Sequence, residues 1–342
     1  MTDAEKTAIG FGIVGCGMIA DFHAQALRAV KGARLVGAAD ASVSGARIFA
    51  EKHSVRAYES YEQMLDDDAI DAVCICTPSG YHAELARMAL LAGKHVAVEK
   101  PVAMTVSEAD AVIEAAKNSG RLLTAIAQLR FSPDAARLRE AVQGGSLGRI
   151  RFANLDMKYW RSEDYYSGSS WKGTRLLDGG VLMNQGVHGI DLLRYVMGDV
   201  TVLHSVTAKL HHQIEAPDTA LALLRYGGGA LGTLEATTAA FPGFDLKLEI
   251  IGEKGCAVFT QERLTSLLID GEEQIADSVC GKLGTASDPA AVGWQNHALQ
   301  FENFVCAIKG EAPLAVSGEE GREAVRLISE IYGEQTPVRY EK

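Results

Sequence analysis

Two polar side chains four residues apart are the first candidates for chemistry in this 342-residue sequence. The stretch LDGGVLMNQGVHGIDLL, residues 177–193, carries Asn184 and His188 within an apolar run that follows two glycines. Residues four apart lie on one face of an α-helix, so we expect the amide and the imidazole to point the same way. An imidazole is suited to general acid–base catalysis near neutral pH. The alternative interpretation is a buried helix whose histidine belongs to the core.

A glycine-rich turn near the N-terminus predicts a dinucleotide-binding site. The stretch IVGCGMIADFHAQAL places Gly15, Gly17 and Ala20 in a G-x-G-x-x-A pattern between a strand and a helix. Gly15 permits the tight turn, Gly17 lets a pyrophosphate approach the backbone, and Ala20 allows close packing of helix on sheet. The phosphates would then face the helix N-terminus, so Met18 and Ile19 are included among the cofactor-binding residues.

Asp40 predicts which nicotinamide cofactor this turn binds. It ends the second predicted strand, LVGAAD, at the distance from the glycines that the motif requires. A carboxylate there accepts hydrogen bonds from the adenosine ribose diol and repels a 2′-phosphate. We therefore expect NAD as the cofactor. NADP is the less favoured alternative, because Ser42 and Arg47 lie nearby in the sequence.

The elements that position these residues fall into two domains. Through residue 127, short apolar strands alternate with helical patterns, which predicts a doubly wound parallel sheet of the Rossmann type. Residues 128–342 follow as a second α/β domain whose closely spaced strands predict an open, mainly antiparallel sheet. A helix at 134–143 opens this domain, and a helix at 319–332 ends the pattern. Whether that last helix packs back toward the first domain is left open.

Composition excludes several classes of protein. The formal net charge of −11 argues against nucleic acid or an anionic membrane as the main partner. We find no apolar run long enough for a membrane span, and the polar, acidic start of the sequence does not resemble a secretory signal. The six cysteines are scattered, with no CxxC pair and no histidine–cysteine cluster at zinc spacing. We therefore expect a cytoplasmic protein and no bound metal.

Further motifs make the whole chain resemble one enzyme family. CTPSGYHAE and EKP follow the fourth and fifth predicted strands, where ligands of open α/β sheets bind. Together with GCGMIA and GGVLMNQGVHGIDLL, they resemble the glucose–fructose oxidoreductase/inositol dehydrogenase (Gfo/Idh/MocA) family. This resemblance implies a Rossmann domain, a C-terminal α/β domain, and a homodimer or homotetramer built through the C-terminal sheet. It also implies hydride transfer to or from one carbon of a sugar, cyclitol or nucleotide sugar.

The resemblance also assigns roles to individual residues. Lys100 of EKP matches the family's catalytic lysine, and His188 matches its acid–base histidine. The remaining matches lie beside the cofactor: Thr77, Pro78, His82, Glu99 and, at the domain boundary, Gln128. His82 is equally well explained as a structural residue at a helix start. Many family members have an aspartate at the position of Asn184, so this chain departs from the pattern there.

An aromatic and basic segment predicts how the second domain holds its substrate. Residues 151–175 contain six aromatic residues and five basic residues against three acidic ones. Aromatic faces pack on sugar rings, and basic groups pair with phosphate or carboxylate. The segment looks most like a branch with NAD-dependent 3-dehydrogenases of UDP-N-acetylglucosaminuronic acid. We predict an anionic, sugar-like substrate that contacts Asn184, Arg130, Tyr159, Trp171 and Lys172.

Two other functions remain as alternatives to the dehydrogenase. An NAD-dependent glycosidase would oxidise one sugar carbon transiently and release sugar from a glycoside without net NADH. A non-catalytic NAD-binding regulator would lack the lysine or the histidine, and both are present. We expect His23 to be an ordinary helix residue, and we do not expect His297 to reach the substrate.

Overall fold

The computed structural model describes residues 8–275 and 293–333. These residues form two compact units, the first containing residues 8–128 and 293–323 and the second containing residues 129–275 and 324–333. The first junction, after Gln128, is one residue from the predicted boundary. The later junctions differ from the prediction, which assigned residues 293–323 to the second domain.

The first unit contains a parallel sheet of six strands, and the predicted fold class is confirmed. Its strands are β1 (Ile9–Val14), β2 (Ala33–Ala39), β3 (Arg56–Ala57), β4 (Ala72–Ile75), β5 (His95–Val98) and β6 (Leu123–Ala125). Their order is β3-β2-β1-β4-β5-β6, and every neighbouring pair is parallel. The direction of winding reverses between β1 and β4, so the carboxyl ends of these two strands mark the expected ligand site.

Helices connect the strands of this sheet, and their starts follow local capping chemistry. They are α1 (Met18–Ala29), α2 (Val43–His53), α3 (Tyr61–Leu65), α4 (His82–Leu91) and α5 (Val106–Ser119). Thr105 and Glu108 form a capping box at the start of α5, and Ser42 accepts a hydrogen bond from a backbone N–H of α2. In contrast, α1 begins after Gly17 without a side-chain cap. Because Gly17 has no side chain, the first N–H groups of α1 have no side-chain acceptor at the N-cap.

Residues 293–323 join the first unit through aromatic packing. The helix Gln295–Ile308 buries Phe301 and Phe304, whose ring centroids lie 6.0 Å and 6.3 Å from that of Phe11 on β1. All three phenylalanines are fully buried in one core cluster. The sequence interpretation did not assign this helix, because its apolar residues have no partners in the neighbouring sequence.

The second unit contains a sheet of eight strands. In chain order they are β7 (Ile150–Lys158), β8 (Val200–Ala208), β9 (Thr219–Tyr226), β10 (Leu231–Thr237), β11 (Lys247–Gly252), β12 (Gly255–Thr260), β13 (Arg263–Ile269) and β14 (Glu272–Glu273). They are arranged as β14-β13-β12-β11-β7-β10-β9-β8. Within the part of this sheet that the structure describes, only β7 and β10 pair in parallel, so the mainly antiparallel second sheet is confirmed.

The segment of the first motif enters its helix through two glycines. Gly179 and Gly180 have φ of 73° and 77°, and a Cβ at Gly180 would lie 2.5 Å from the Pro217 carbonyl oxygen. A π-helical turn, Leu182–Gly186, then precedes the α-helix Val187–Met197. The expectation of regular α-helical spacing from residue 184 to 188 is therefore wrong, because a π turn contains more residues than an α turn.

No helix within residues 8–275 and 293–333 is long and apolar enough to cross a membrane. The cysteines within these ranges are unbridged thiols. Cys280 lies outside the described residues.

Candidate functional site

The glycine turn of the first unit has the geometry that its motif predicts. Gly15 has φ of 88°, and a Cβ there would lie 2.7 Å from the Thr77 backbone nitrogen. A Cβ at Gly17 would meet no atom within 4 Å, so the approach to the N-terminus of α1 is open. Ala20 is fully buried, and Met18 is exposed beside the turn. These features suit a pyrophosphate bound to backbone N–H groups.

Asp40 links this turn to the second strand. Its Oδ2 accepts a hydrogen bond of 2.7 Å from the Cys16 N–H, and its Oδ1 accepts one of 2.8 Å from the Ser42 N–H. Arg47 forms a 2.8 Å ion pair with Glu59 on the surface. The structure therefore places a carboxylate beside the turn and pairs Arg47 with Glu59, which favours NAD over NADP.

His82 connects the two loops at the carboxyl edge of the first sheet. It is 1% exposed, its Nδ1 lies 2.7 Å from the Pro101 carbonyl oxygen, and its Nε2 lies 2.9 Å from the Thr77 carbonyl oxygen. Burial lowers the pKa of His82, although both carbonyls oppose this shift. These contacts give His82 a structural role in holding the loops after β4 and β5. Pro78 precedes the short 3₁₀ turn that leads to His82.

Several buried polar atoms of the first unit lack a protein partner. Thr77 Oγ1, Gln128 Oε1 and both ring nitrogens of His297 are buried without a hydrogen-bond partner in the described part of the chain. Such atoms normally find a partner, because an unsatisfied buried polar group costs about 1–3 kcal/mol. Thr77 and Gln128 follow β4 and β6, at the edge where a cofactor binds. The residues present therefore fit a polar dinucleotide.

Glu99 and Lys100 end β5 at the same edge. Glu99 is 5% exposed, its Oε2 accepts a 3.1 Å hydrogen bond from the Lys100 N–H, and its Oε1 lies 2.8 Å from His23 Nε2. His297 Nε2 lies 4.0 Å from the same Oε1. The sequence interpretation missed the roles of His23 and His297, because nothing local to either residue indicates a carboxylate partner. Their shared burial around Glu99 appears only in the fold.

In the second unit, Asn184 contacts a carboxylate that the sequence interpretation also missed. Asn184 Nδ2 donates a hydrogen bond to the Asp178 carboxylate, which also accepts a 3.2 Å hydrogen bond from the Gly180 N–H. Asp178 is 1% exposed. Burial raises the pKa of Tyr165, and the side chain of Asn184 opposes this shift. The neutral residue at position 184 therefore lies directly against a negative charge. His188 is partly exposed near the start of the α-helix Val187–Met197.

A cationic and aromatic group lies near Asp178. Lys172 Nζ is 3.7 Å from the centroid of the Tyr165 ring, and the Arg161 guanidinium is 5.4 Å from that ring and 5.6 Å from the Tyr159 ring. Burial lowers the pKa of Lys172; Asp178 opposes the shift and Arg161 adds to it. The structure thus brings Lys172 and Tyr159 near one arginine, Arg161, that was not selected from the sequence. Trp171 is half-buried next to Lys172 in the chain.

The structure gives Arg130 a structural partner. Its guanidinium donates two hydrogen bonds, of 2.7 Å and 2.6 Å, to the carboxylate of Asp191. Both residues are buried, at 8% and 7% exposure. This pairing weakens the prediction that Arg130 binds substrate, because a bidentate partner already engages its planar fork.

Comparisons with known proteins agree with this geometry. A family model described as GFO_IDH_MocA, an oxidoreductase family with an NAD-binding Rossmann fold, matches residues 9–126, and the GFO/IDH/MocA C-terminal domain matches residues 135–258. Myo-inositol 2-dehydrogenase of Thermotoga maritima is 27% identical over 92% of this chain and 93% of its own length. Inositol 2-dehydrogenase of Rubrobacter xylanophilus is 30% identical over 74% of this chain and 71% of its own. The WlbA dehydrogenase of Bordetella pertussis, solved with NADH and UDP-GlcNAcA, has a TM-score of 0.84 and 29% identity over 95% of both chains.

Proposed function

Because the chain belongs to the Gfo/Idh/MocA family of NAD-binding oxidoreductases, we propose that it oxidises or reduces one carbon of a sugar, cyclitol or nucleotide sugar. The observation that carries this proposal is the carboxyl edge of the first sheet. There the open turn at Gly17, the carboxylate of Asp40 and Lys100 occupy the positions that the family's motifs require. The named relatives act on inositols, and one similar structure was solved with a nucleotide sugar.

The proposed chemistry divides between the cofactor and two side chains. Bound NAD supplies the hydride acceptor, and the protein must remove the proton of the substrate hydroxyl. We propose that Lys100 and His188 take part in removing this proton. An imidazole ordinarily titrates near pH ~6.5 and suits proton exchange at neutral pH. The hydrogen bond to Asp178 holds the side-chain amide of Asn184 in place. Both residues lie in the same unit as His188.

We assign an anionic group to the substrate. Lys172 and Arg161 place two cations in this group, near the carboxylates of Asp178 and Asp245, and Tyr165 presents its ring to both cations. The UDP-GlcNAcA bound by the Bordetella pertussis dehydrogenase carries both phosphate and carboxylate groups. A uronic acid or a nucleotide sugar matches this charge better than a neutral inositol does.

A substrate panel followed by NADH absorbance tests the function. Purified protein with NAD is offered inositols, neutral sugars, uronic acids, UDP-N-acetylglucosamine and its uronic acid, each with and without the protein. We expect NADH with an anionic member of the panel and a lower KM than for its neutral counterpart. Lys172→Ala should raise that KM about tenfold, whereas the exposed control Lys254→Ala should leave it unchanged. Release of sugar from an aryl glycoside without net NADH would replace the dehydrogenase by a glycosidase.

We also propose that two copies of the chain pair through the open face of the second sheet. Apolar side chains on β7, β9, β10 and β11 are 44–51% exposed on that sheet: Phe152, Leu221, Leu223, Leu231 and Ile251. Leu231 is the Cα partner of Phe152, which is also the Cα partner of Ile251. Exposed apolar side chains gathered on one sheet in this way are typical of a homodimer interface.

A further inference from the structure

Three titratable side chains lie close together in the interior of the first unit, near Lys100. His23 Nε2 lies 2.8 Å from Glu99 Oε1, and His297 Nε2 lies 4.0 Å from the same oxygen. The centroids of the two imidazole rings are 5.5 Å apart. His23, Glu99 and His297 are 0%, 5% and 2% exposed. We call these three residues the His–Glu–His cluster.

Each member comes from a different part of the chain and is held by packing. His23 lies on α1, Glu99 follows β5, and His297 lies on the helix Gln295–Ile308. The ring of Phe301 is 5.1 Å from that of His23, and the ring of Phe22 is 6.5 Å from that of His297. Because the rings are enclosed by aromatic side chains, the cluster holds a fixed geometry around the carboxylate.

The neighbours of Glu99 favour its ionised form in the protein interior. Burial alone would raise the pKa of Glu99, but the hydrogen bond and charge of His23 outweigh it, and His297 and Lys100 act in the same direction. The net result is a pKa of Glu99 far below its usual range. Burial and the neighbouring His23 lower the pKa of His297 to about 4, so His297 is neutral at physiological pH.

Titratable groups from several elements of the first unit interact electrostatically with Glu99. They are His23 from α1, Cys74 and Cys76 from β4 and the residue after it, His82 from α4, Lys100 from the same strand end, and His297. Burial raises the pKa of both cysteines, so their thiols stay protonated and uncharged.

Glu99 reaches the proposed catalytic lysine through the backbone. Its Oε2 accepts the 3.1 Å hydrogen bond from the Lys100 N–H, while its Oε1 faces the two histidines. The carboxylate thus links His23 on α1 to the residue that is proposed to meet the substrate. A shift of Glu99 would move the Lys100 backbone. Even a small misplacement of a reacting group lowers the reaction rate.

We infer that His23 is a positioning residue: its hydrogen bond holds the Glu99 carboxylate, which in turn fixes the backbone of Lys100. This inference rests on the proposed role of Lys100, and His23 is not required to touch substrate or cofactor. It predicts that loss of the His23–Glu99 hydrogen bond lowers kcat more than it weakens cofactor binding. It also predicts that a neutral hydrogen-bond donor at position 23 restores part of the function.

The first experiment observes Lys100 without turnover. Protein labelled with ¹⁵N-lysine is titrated by NMR, and the Lys100 amide is assigned with Lys100→Arg. We expect no titration of this amide between about pH 5 and pH 8 in the unmodified protein, because Glu99 stays ionised. In His23→Leu the carboxylate loses its nearest partner, so its pKa rises and the Lys100 amide should titrate in that range. An amide that behaves identically in both proteins would overturn the inference.

The second experiment uses the substrate found with the panel. His23→Leu should lower kcat at least about tenfold at pH 7 and move the acidic limb of the kcat profile to higher pH, with the NAD dissociation constant unchanged within twofold. His23→Gln should recover most of kcat, because its amide still donates to Glu99. The matched control is His53→Leu, since His53 Nε2 lies 2.6 Å from Asp21 and is equally buried but is not in the cluster. We expect this control to keep the pH profile.

Two results would contradict the proposed positioning role, each in a different way. An equal loss of kcat and an unshifted pH profile in His23→Leu and His53→Leu would show a merely structural role. One equivalent of a divalent metal in the purified protein, lost in His297→Leu, would make the cluster a metal site instead, since its three ligand atoms lie within 4.8 Å of one another. Absence of NADH with every panel member would reject the proposed function, whereas the NMR titration would still decide the state of Glu99.

Discussion

At the scale of single residues, Asp40 is the side chain that we expect to select NAD over NADP. Both of its carboxylate oxygens already accept backbone hydrogen bonds near the glycine turn, so the negative charge has a fixed position. Asp40→Ser should weaken NAD binding and improve NADP binding. The ratio of the two dissociation constants should therefore shift at least about tenfold in favour of NADP. Calorimetric dissociation constants for both cofactors measure this change. Asp71 accepts the Gly10 N–H in the same unit, and the control Asp71→Ser should leave the ratio of the two constants unchanged. Equal affinity of the unmodified protein for NAD and NADP would reject this role of Asp40.

Lys100 and His188 carry the proposed proton transfer, and their replacement tests it directly. Lys100→Ala and His188→Ala should each lower kcat by at least ~10²-fold, since general acid–base catalysis typically contributes 10²–10⁴-fold. The NAD dissociation constant should stay within twofold of its original value. The controls are Lys117→Ala and His204→Ala, which alter exposed residues outside the proposed site. Unmodified turnover in His188→Ala would return the imidazole to a structural role.

At the scale of the elements, the Arg130–Asp191 pair joins two segments of the second unit. The pair is buried and bidentate, so removing one partner leaves an uncompensated charge and costs about 3–5 kcal/mol. We expect Arg130→Ala to lower the urea midpoint strongly, with the KM of the remaining folded protein unchanged. The double variant Arg130→Met, Asp191→Leu should unfold at a higher urea concentration than Arg130→Ala. A raised KM with unchanged stability would instead support the original prediction that Arg130 binds substrate.

At the scale of the whole molecule, the apolar face of the second sheet predicts self-association. Replacing Leu221 and Leu223 together by Glu should convert an oligomer into monomers, because a symmetric interface places each substitution in both copies. Sedimentation equilibrium at micromolar concentration measures the mass. The control Leu210→Glu changes a residue that is 61% exposed in the turn after β8, and we expect it to keep the oligomer. A monomeric unmodified protein at the same concentration would exclude this use of the sheet face.

The amino-acid sequence by itself determined the features that depend on near neighbours. Five of the six strands of the first sheet, the turn at Gly15 and Gly17, and Asp40 after β2 were predicted from periodicity and spacing, whereas the two-residue strand β3 was not. Strand–helix alternation restricts the parallel sheet to few arrangements, so the fold class followed as well. The glycines before the helix at Val187 were also recognised, because positive φ and close packing both require them.

Only the tertiary structure decided the contacts between distant residues. His297 meets Glu99 across about two hundred positions, and Phe301 brings residues 293–323 into the first unit by packing beside Phe11. The π turn at Leu182–Gly186 changed the expected spacing of Asn184, and the fold placed Asp178 against it. Local patterns cannot encode these contacts, because burial and hydrogen bonding between remote segments depend on how the whole chain packs. The sequence therefore identified the edge at which a dinucleotide fits, and the fold decided which buried groups support it.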